Sequence, residues 1–312
     1  MKNTTYLVTI LTLSYCSPDI YAAIDSVLSQ DYARIQYVLI DDATDGFFAE
    51  DVSSYIVRHK RDNLEEFLVL KMPENLGTVR AANIGLSYSK GKYIFNLAGD
   101  DVFYDNSVIK DWVGEFNKTG FSVITAYRER YDIQMKHSLG VFPSPAEVNK
   151  IQHLSSAELF EALTPENFIF GCCTAYTHGC VNQYELYDES YKLVEDYPTF
   201  LRLLREGVKI GFFDRIVVRH RSGGSSSPER YNDWYVRDTD MIYNREIAPY
   251  TKNLARARKH HLNWKSRQRF DKELQRVRHN AFHVVCLRLR YHILHPFVTL
   301  RGFWKRRSQE KS

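Results

Sequence analysis

Two adjacent carboxylates follow a glycine at Gly99-Asp100-Asp101. Side by side at the end of an element, they repel each other unless positive charge lies nearby. A hard divalent cation with a phosphate partner would meet that need. A polar turn capping the next helix would need no ligand, because Asp is common in turns. Other polar residues share this setting: Ser14 and Tyr15 end the first apolar run, and Asp41-Asp42 end the second. Glu195-Asp196 open a short helical pattern, where capping alone would explain them, and His220 closes a later β-branched run. The chain has no G-x-x-x-x-G-K-S/T loop and no G-x-G-x-x-G after its first strand pattern. A bound phosphate would therefore be held through a metal rather than a glycine cradle.

The elements that must position these residues alternate at short spacing. Residues 6–13, 35–40, 67–70, 93–97 and 121–126 are apolar runs that predict buried strands. Helical patterns begin at Ser17-Pro18-Asp19, near Val52, at Gly77 and near Ser107. Such alternation predicts an α/β fold with a mostly parallel sheet flanked by helices, and ligands bind beyond the carboxyl ends of its strands. Residues 127–165 are less regular. A helix is expected over 195–205, and paired strands over 208–213 and 216–218. The Gly223–Pro228 stretch, rich in Gly and Ser, marks the expected boundary between a domain at 1–228 and a basic helical region at 229–312.

The chain has 312 residues and a net charge of +4 that hides an asymmetry. Residues 251–312 contain 17 Lys/Arg against 3 Asp/Glu, so the rest of the chain is acidic and the basic end is expected to meet something anionic. No run approaches the roughly 18 apolar residues of a spanning helix, and the N-terminus does not read as a signal peptide. The five cysteines are irregularly spaced and read as free thiols of a cytoplasmic protein. Cys172, Cys173, His178 and Cys180 fit no usual zinc spacing, and buried small hydrophobes are the expected reading.

The order of motifs resembles the family 2 inverting glycosyltransferases of the GT-A fold. V-T-I-L-T-L-S-Y-C, S-V-L-S-Q-D-Y and V-L-I-D-D-A-T-D look like that family's opening. P-E-N-L-G-T-V-R-A-A-N-I-G-L and K-G-K-Y-I-F-N-L-A-G-D-D continue it, and V-E-D-Y-P-T-F-L-R-L-L-R-E-G-V-K-I with V-V-R-H-R-S-G-G-S-S-S completes it. The resemblance covers about residues 5–228. It implies a nucleotide-sugar donor, with UDP-sugar expected, a divalent cation (manganese or magnesium), and a glycan or lipid-linked acceptor in polysaccharide biosynthesis. By the same resemblance, Ser14, Tyr15 and Asp42 would hold the nucleotide, Arg80 would add a basic contact, and Asp100 would meet ribose or metal-bound water. Asp101 and His220 would hold the metal, and Asp196 would be the general base. The chain departs from the family pattern at Leu13-Ser14, at Cys16 and at Gly99, where the first carboxylate of the D-x-D motif is missing.

Two alternatives belong to other classes. A nucleotidyltransferase on a related fold usually opens with a Gly-rich, Arg/Lys-bearing loop, which Leu13-Ser14-Tyr15-Cys16 lacks. A non-catalytic binding protein is disfavoured by the intact Asp101 and Asp196. In the basic tail, Phe282, Val285, Cys286, Leu289 and Ile293 recur at helical spacing, and Phe297, Phe303, Trp304 and Lys305-Arg306-Arg307 follow. This pattern is expected to contact the anionic inner face of the cell membrane. Packing on the core and homo-oligomerisation are the rival readings, and nucleic acid is the disfavoured partner.

Overall fold

The computed structural model describes residues 5–224, 232–277 and 281–294. Its elements run β1 Val8–Ser14, α1 Ile20–Leu28, β2 Ile35–Asp41, α2 Ala49–His59, β3 Leu64–Lys71, α3 Thr78–Tyr88, β4 Tyr93–Ala98, β5 Val102–Phe103 and α4 Val108–Thr119. β6 Val123–Tyr131, β7 Ser138–Phe142, α5 Pro145–His153, α6 Ser156–Leu163, β8 Thr174–Thr177, α7 His178–Tyr184, α8 Asp196–Arg205 and β9 Ile210–Arg221 follow. The chain then forms α9 Asp233–Ile242, a wide helical turn at Tyr243–Ile247, α10 Leu254–Val277 and α11 Ala281–Leu294.

Among the described residues, the strands form one sheet in the order β3-β2-β1-β4-β8-β6-β9-β5, with β7 on β6. β3, β2, β1 and β4 run parallel, as do β6 and β9. Alternate residues of the inner strands feed two cores. Leu11, Val38, Ile40 and Ile94 face one, with Phe200, Leu203 and Leu163. Val8, Ile10, Tyr37, Leu39 and Phe95 face the other, with Ile24, Ile56 and Trp112. This period-two split explains why these strands read as continuous apolar runs rather than alternating ones. The two strands expected over 208–218 are instead one long strand, β9. A register shift at Ala126/Tyr127 absorbs the exposed Asp214.

Two close approaches bring the site together. A Cβ on Gly85 would lie 2.3 Å from Leu11 Cδ1, so α3 sits hard against β1. A Cβ on Gly99 would lie 2.8 Å from Ser17 Oγ and 3.1 Å from Ser14 Cβ, so the loop after β1 folds down over the end of β4. The strand ends are in step: Ser14 is opposite Asp41, and Leu13 is opposite Ala98.

The boundary expected near residue 228 falls at 225–231, outside the described residues. Beyond it, Ile242, Ile247 and Ala257 are buried in the same core as Phe200 and Leu204. Arg205 in α8 pairs with Glu246 at 2.6 Å, so these helices are built onto the α/β body.

Candidate functional site

A cleft of about 1210 Å³ opens beyond the carboxyl ends of β1, β2 and β4. Ser14, Tyr15, Asp42, Asp100, Asp101, Asp196 and His220 all line it. Arg80 does not. At the third position of α3 it points away from the buried Val79, Ala81 and Ala82, and it pairs with Glu189 at the surface, 3.3 Å away.

One end of the cleft begins at Tyr15, which is 56% exposed. Asp42 is buried, and its two carboxylate oxygens accept the Leu76 and Gly77 amides at 2.7 and 2.8 Å. Gly77 is needed there: its φ is +87°, and a Cβ would lie 2.5 Å from the Lys192 carbonyl. Asp42 thus fixes the loop that leads into α3, while each oxygen keeps a second lone pair for a donor in the cleft.

Asp101 is fully buried. Its carboxylate accepts the Arg221 amide at 2.8 Å and faces His220 Nδ1 at 3.0 and 3.1 Å. Strand pairing brings these residues together, since Val102 is opposite Arg219. Arg221 completes the clasp by donating to the Asp100 and Ile133 carbonyls and pairing with Asp19. Burial works against a charged His220, but the Asp101 carboxylate outweighs it and pushes the imidazole up to about 10. Asp100 is pushed up to about 6, first by burial and then by the neighbouring Asp101 charge. Among the described residues, one group is disposed to hold a metal: an Asp101 oxygen, a His220 nitrogen and Cys172 Sγ lie within 4.8 Å of one another. Oxygen, imidazole and thiolate together fit a divalent transition-metal ion.

Asp196 enters the cleft from a different element, the first turn of α8. Its carboxylate accepts the Gly171 amide at 3.0 Å and the Tyr197 amide at 2.6 Å. Burial raises the pKa of both Glu195 and Asp196, and repulsion from Asp196 takes Glu195 up to about 8. The two amides and the Arg128 charge oppose the rise at Asp196, so Asp196 is the better anion of the pair.

Several cleft residues were hidden in the sequence. Arg128 lies in the stretch read as irregular. Its guanidinium stacks 3.6 Å over the Phe170 ring, and its charge is felt by both Asp101 and Asp196. Gly171, Trp234 and Tyr235 carried no signal of their own, although Arg221 stood next to His220 in the motif. The cysteine–histidine group does not converge. Cys173 and Cys180 are buried, and His178 Nδ1 lies 3.1 Å from the Gly91 carbonyl. Cys172 alone turns into the cleft.

The sequence profile described as Glycosyl transferase family 2 matches residues 9–177. An uncharacterized glycosyltransferase of Rickettsia typhi is 30% identical over 70% of this chain, which covers 65% of that relative's length. An Escherichia coli protein named UDP-Glc:alpha-D-GlcNAc-diphosphoundecaprenol beta-1,3-glucosyltransferase is 25% identical, over 76% of this chain and 85% of its own. Among solved structures, a mannosyltransferase from Pyrobaculum calidifontis, in complex with GDP-Man and Mn2+, superposes with a TM-score of 0.62 at 14% identity. That match covers 96% of this chain and 84% of the mannosyltransferase. The fold is therefore GT-A. Since the profile spans more than half of the sequence and includes the strands whose ends frame the cleft, the chain belongs to glycosyltransferase family 2.

Proposed function

We propose that the protein is an inverting transferase that moves a sugar from a UDP-sugar to a hydroxyl of a glycan or lipid-linked acceptor in polysaccharide biosynthesis. One observation carries the reading. The Asp101–His220 pair and the amide-held Asp196 carboxylate face the same cleft from different elements. The Escherichia coli relative, named for UDP-glucose and a diphosphoundecaprenol acceptor, supports the donor base and the acceptor class. Mn2+ beside GDP-mannose in the mannosyltransferase supports a cation at Asp101.

In this reading Tyr15 stacks on the base, Asp42 accepts a hydrogen bond from it, and Asp100 meets the ribose. Asp101 and His220 would hold the divalent cation, which when bound would supply positive charge beside the departing diphosphate. Asp196 takes the acceptor proton at its carboxylate. The Gly171 and Tyr197 amides orient that carboxylate and favour its ionised form against the effect of burial, and positioned proton transfer of this kind contributes about 100–10,000-fold. Attack on the face away from the leaving group inverts the anomeric carbon. The +14 basic end would hold the enzyme at the inner face of the membrane, near a lipid-linked acceptor.

The test combines stereochemistry with one substitution. Product of inverted anomeric configuration is expected by NMR, and retained configuration would overturn the mechanism. Asp196→Asn should cut single-turnover transfer by about 100-fold or more with donor affinity unchanged. If donor binding collapses while bound donor still transfers normally, Asp196 is a helix cap rather than the base.

A further inference from the structure

We propose that the Cys172 thiolate is a third protein ligand of the cation held by Asp101 and His220, making this a carboxylate–imidazole–thiolate site. The inference rests on the cation reading above and adds a ligand to it. Cys172 Sγ lies within 4.8 Å of both the Asp101 oxygen and the His220 nitrogen. Ligands at about 2.0–2.3 Å from one ion lie somewhat closer together than that, so a small inward movement closes the set.

The backbone under Cys172 is fixed. Gly171–Cys173 form a single tight helical turn between Phe170 and β8. Thr174 Oγ1 donates to the Phe170 carbonyl at 2.8 Å, and Cys173 is buried beneath the turn. The Gly171 amide in the same turn holds Asp196. Three consecutive residues thus offer an amide to the base, a thiol to the cation pocket and an apolar anchor to the core.

Cys173 and burial hold the free Cys172 thiol protonated, against the opposing Arg128 charge, so it is the bound cation that would make it a thiolate. Arg128 Nη1 lies 3.6 Å from Cys172 Sγ and donates to it. Arginine has no lone pair to compete for the ion, so it acts as an outer support that steadies the sulfur. Binding replaces the S–H proton and the ligating-nitrogen proton of the His220 imidazolium with the cation and releases both protons to solvent, so charge balances without any oxidant. Asp101 and Cys172 each contribute one negative charge, which balances a divalent ion. Arg128 adds one positive charge beside the site that a diphosphate would meet. Thiolate is a soft donor, so the site should prefer Mn2+, Co2+ or Zn2+ over Mg2+.

The experiment is a Co2+ titration of the full-length protein, followed by absorbance and by calorimetry. A thiolate-to-cobalt charge-transfer band in the near ultraviolet is expected, and it should survive in Cys16→Ser, the other cleft-lining cysteine. Cys172→Ser and Cys172→Ala should lose the band and bind Co2+ at least about tenfold more weakly, with a smaller preference over Mg2+. Co2+ binding that is lost in Asp101→Asn, shows no band and is unchanged in Cys172→Ser would overturn the thiolate ligand and leave the cation reading standing. Absence of any Co2+ binding would overturn both.

Discussion

Glu195 and Asp196 are two neighbouring carboxyls that burial keeps protonated above the ordinary range, with mutual repulsion adding to the effect at Glu195. Between that range and about 8 the native state holds more protons than the unfolded chain, so stability should fall as pH rises through this window. Asp196 would work as a base only when ionised, and burial raises its pKa, so transfer should rise with pH above the ordinary carboxylate range. Glu195→Gln removes the repelling charge. The acid limb of transfer, measured at saturating donor and cation, is then expected to move to lower pH. Urea midpoints should also depend less on pH than in the wild type. An unmoved limb would mean that the two carboxyls are not coupled in catalysis. Gly99 makes a second residue-scale point. Its place in the D-x-D pattern reads as a missing carboxylate, but the Ser14–Ser17 loop occupies the space a side chain would need. Gly99→Ala should cost about 1–3 kcal/mol by overpacking and weaken UDP binding, because Ser14 and Tyr15 sit on the displaced loop. A thermal melt with and without UDP checks both effects, and an unchanged melt would show that the loop yields freely.

The helices after residue 231 do more at the site than their polar sequences indicate. Asp238 of α9 is fully buried, and one of its oxygens accepts the amides of Lys192, Leu193 and Val194 at 2.9, 2.6 and 3.2 Å. Those three residues lead directly into Glu195-Asp196, so α9 sets the position of the proposed base from outside the β/α region. Asp238→Ala leaves three buried or partly buried amides without their acceptor. It should cost at least about 3 kcal/mol, and it should lower transfer more than donor affinity, because Asp42 and Asp101 stand on other elements. Comparable losses of kcat and donor affinity would instead point to general loosening of the cleft. The clasp also marks the limit of what the sequence discloses. The parallel strands were legible because both of their faces are buried, and the Asp42, Asp101, Asp196 and His220 motifs were legible because each ends or begins a regular element. Asp238 and Arg128 were not. Each is one of several charged residues in its stretch, with nothing to single it out, and its partners lie more than 40 residues away. Arg80 was misread because its motif fixes α3 but not which side of the helix faces the cleft.

At the scale of the whole molecule, positive charge concentrates at the C-terminal end. No helix among the described residues is long and apolar enough to cross a membrane. α11 rests on α10 through Tyr291, whose ring lies 4.2 Å from Phe270. On this helix Val285 and Leu289 are 55% and 57% exposed, and Cys286 is exposed beside them. These three belong to the stripe expected from helical spacing. The side chains of Phe282 and Ile293 and all residues beyond Leu294 lie outside the described residues. An exposed apolar strip on a strongly basic segment is the pattern of a helix lying on an anionic membrane surface, which we propose for α11. Charge alone would give attraction of about 1 kcal/mol per near-surface Lys or Arg, and 0.1 M salt screens it over about 10 Å. Insertion of the strip would add burial at about 25 cal/mol per Å2, which salt does not screen. The two contributions separate in the full-length chain. Replacing Val285 and Leu289 with Asp keeps most of the basic charge and removes the strip. Wild-type protein should co-sediment with anionic vesicles at low salt and be released only in part at high salt. The double variant should be released completely, with transfer to a soluble acceptor unchanged because neither residue lines the cleft. Equal retention of the two proteins across the salt series would discard insertion. Failure of the wild type to sediment at any salt would discard the membrane surface and return the strip to contact between copies of the chain, which the sedimentation coefficient would then register.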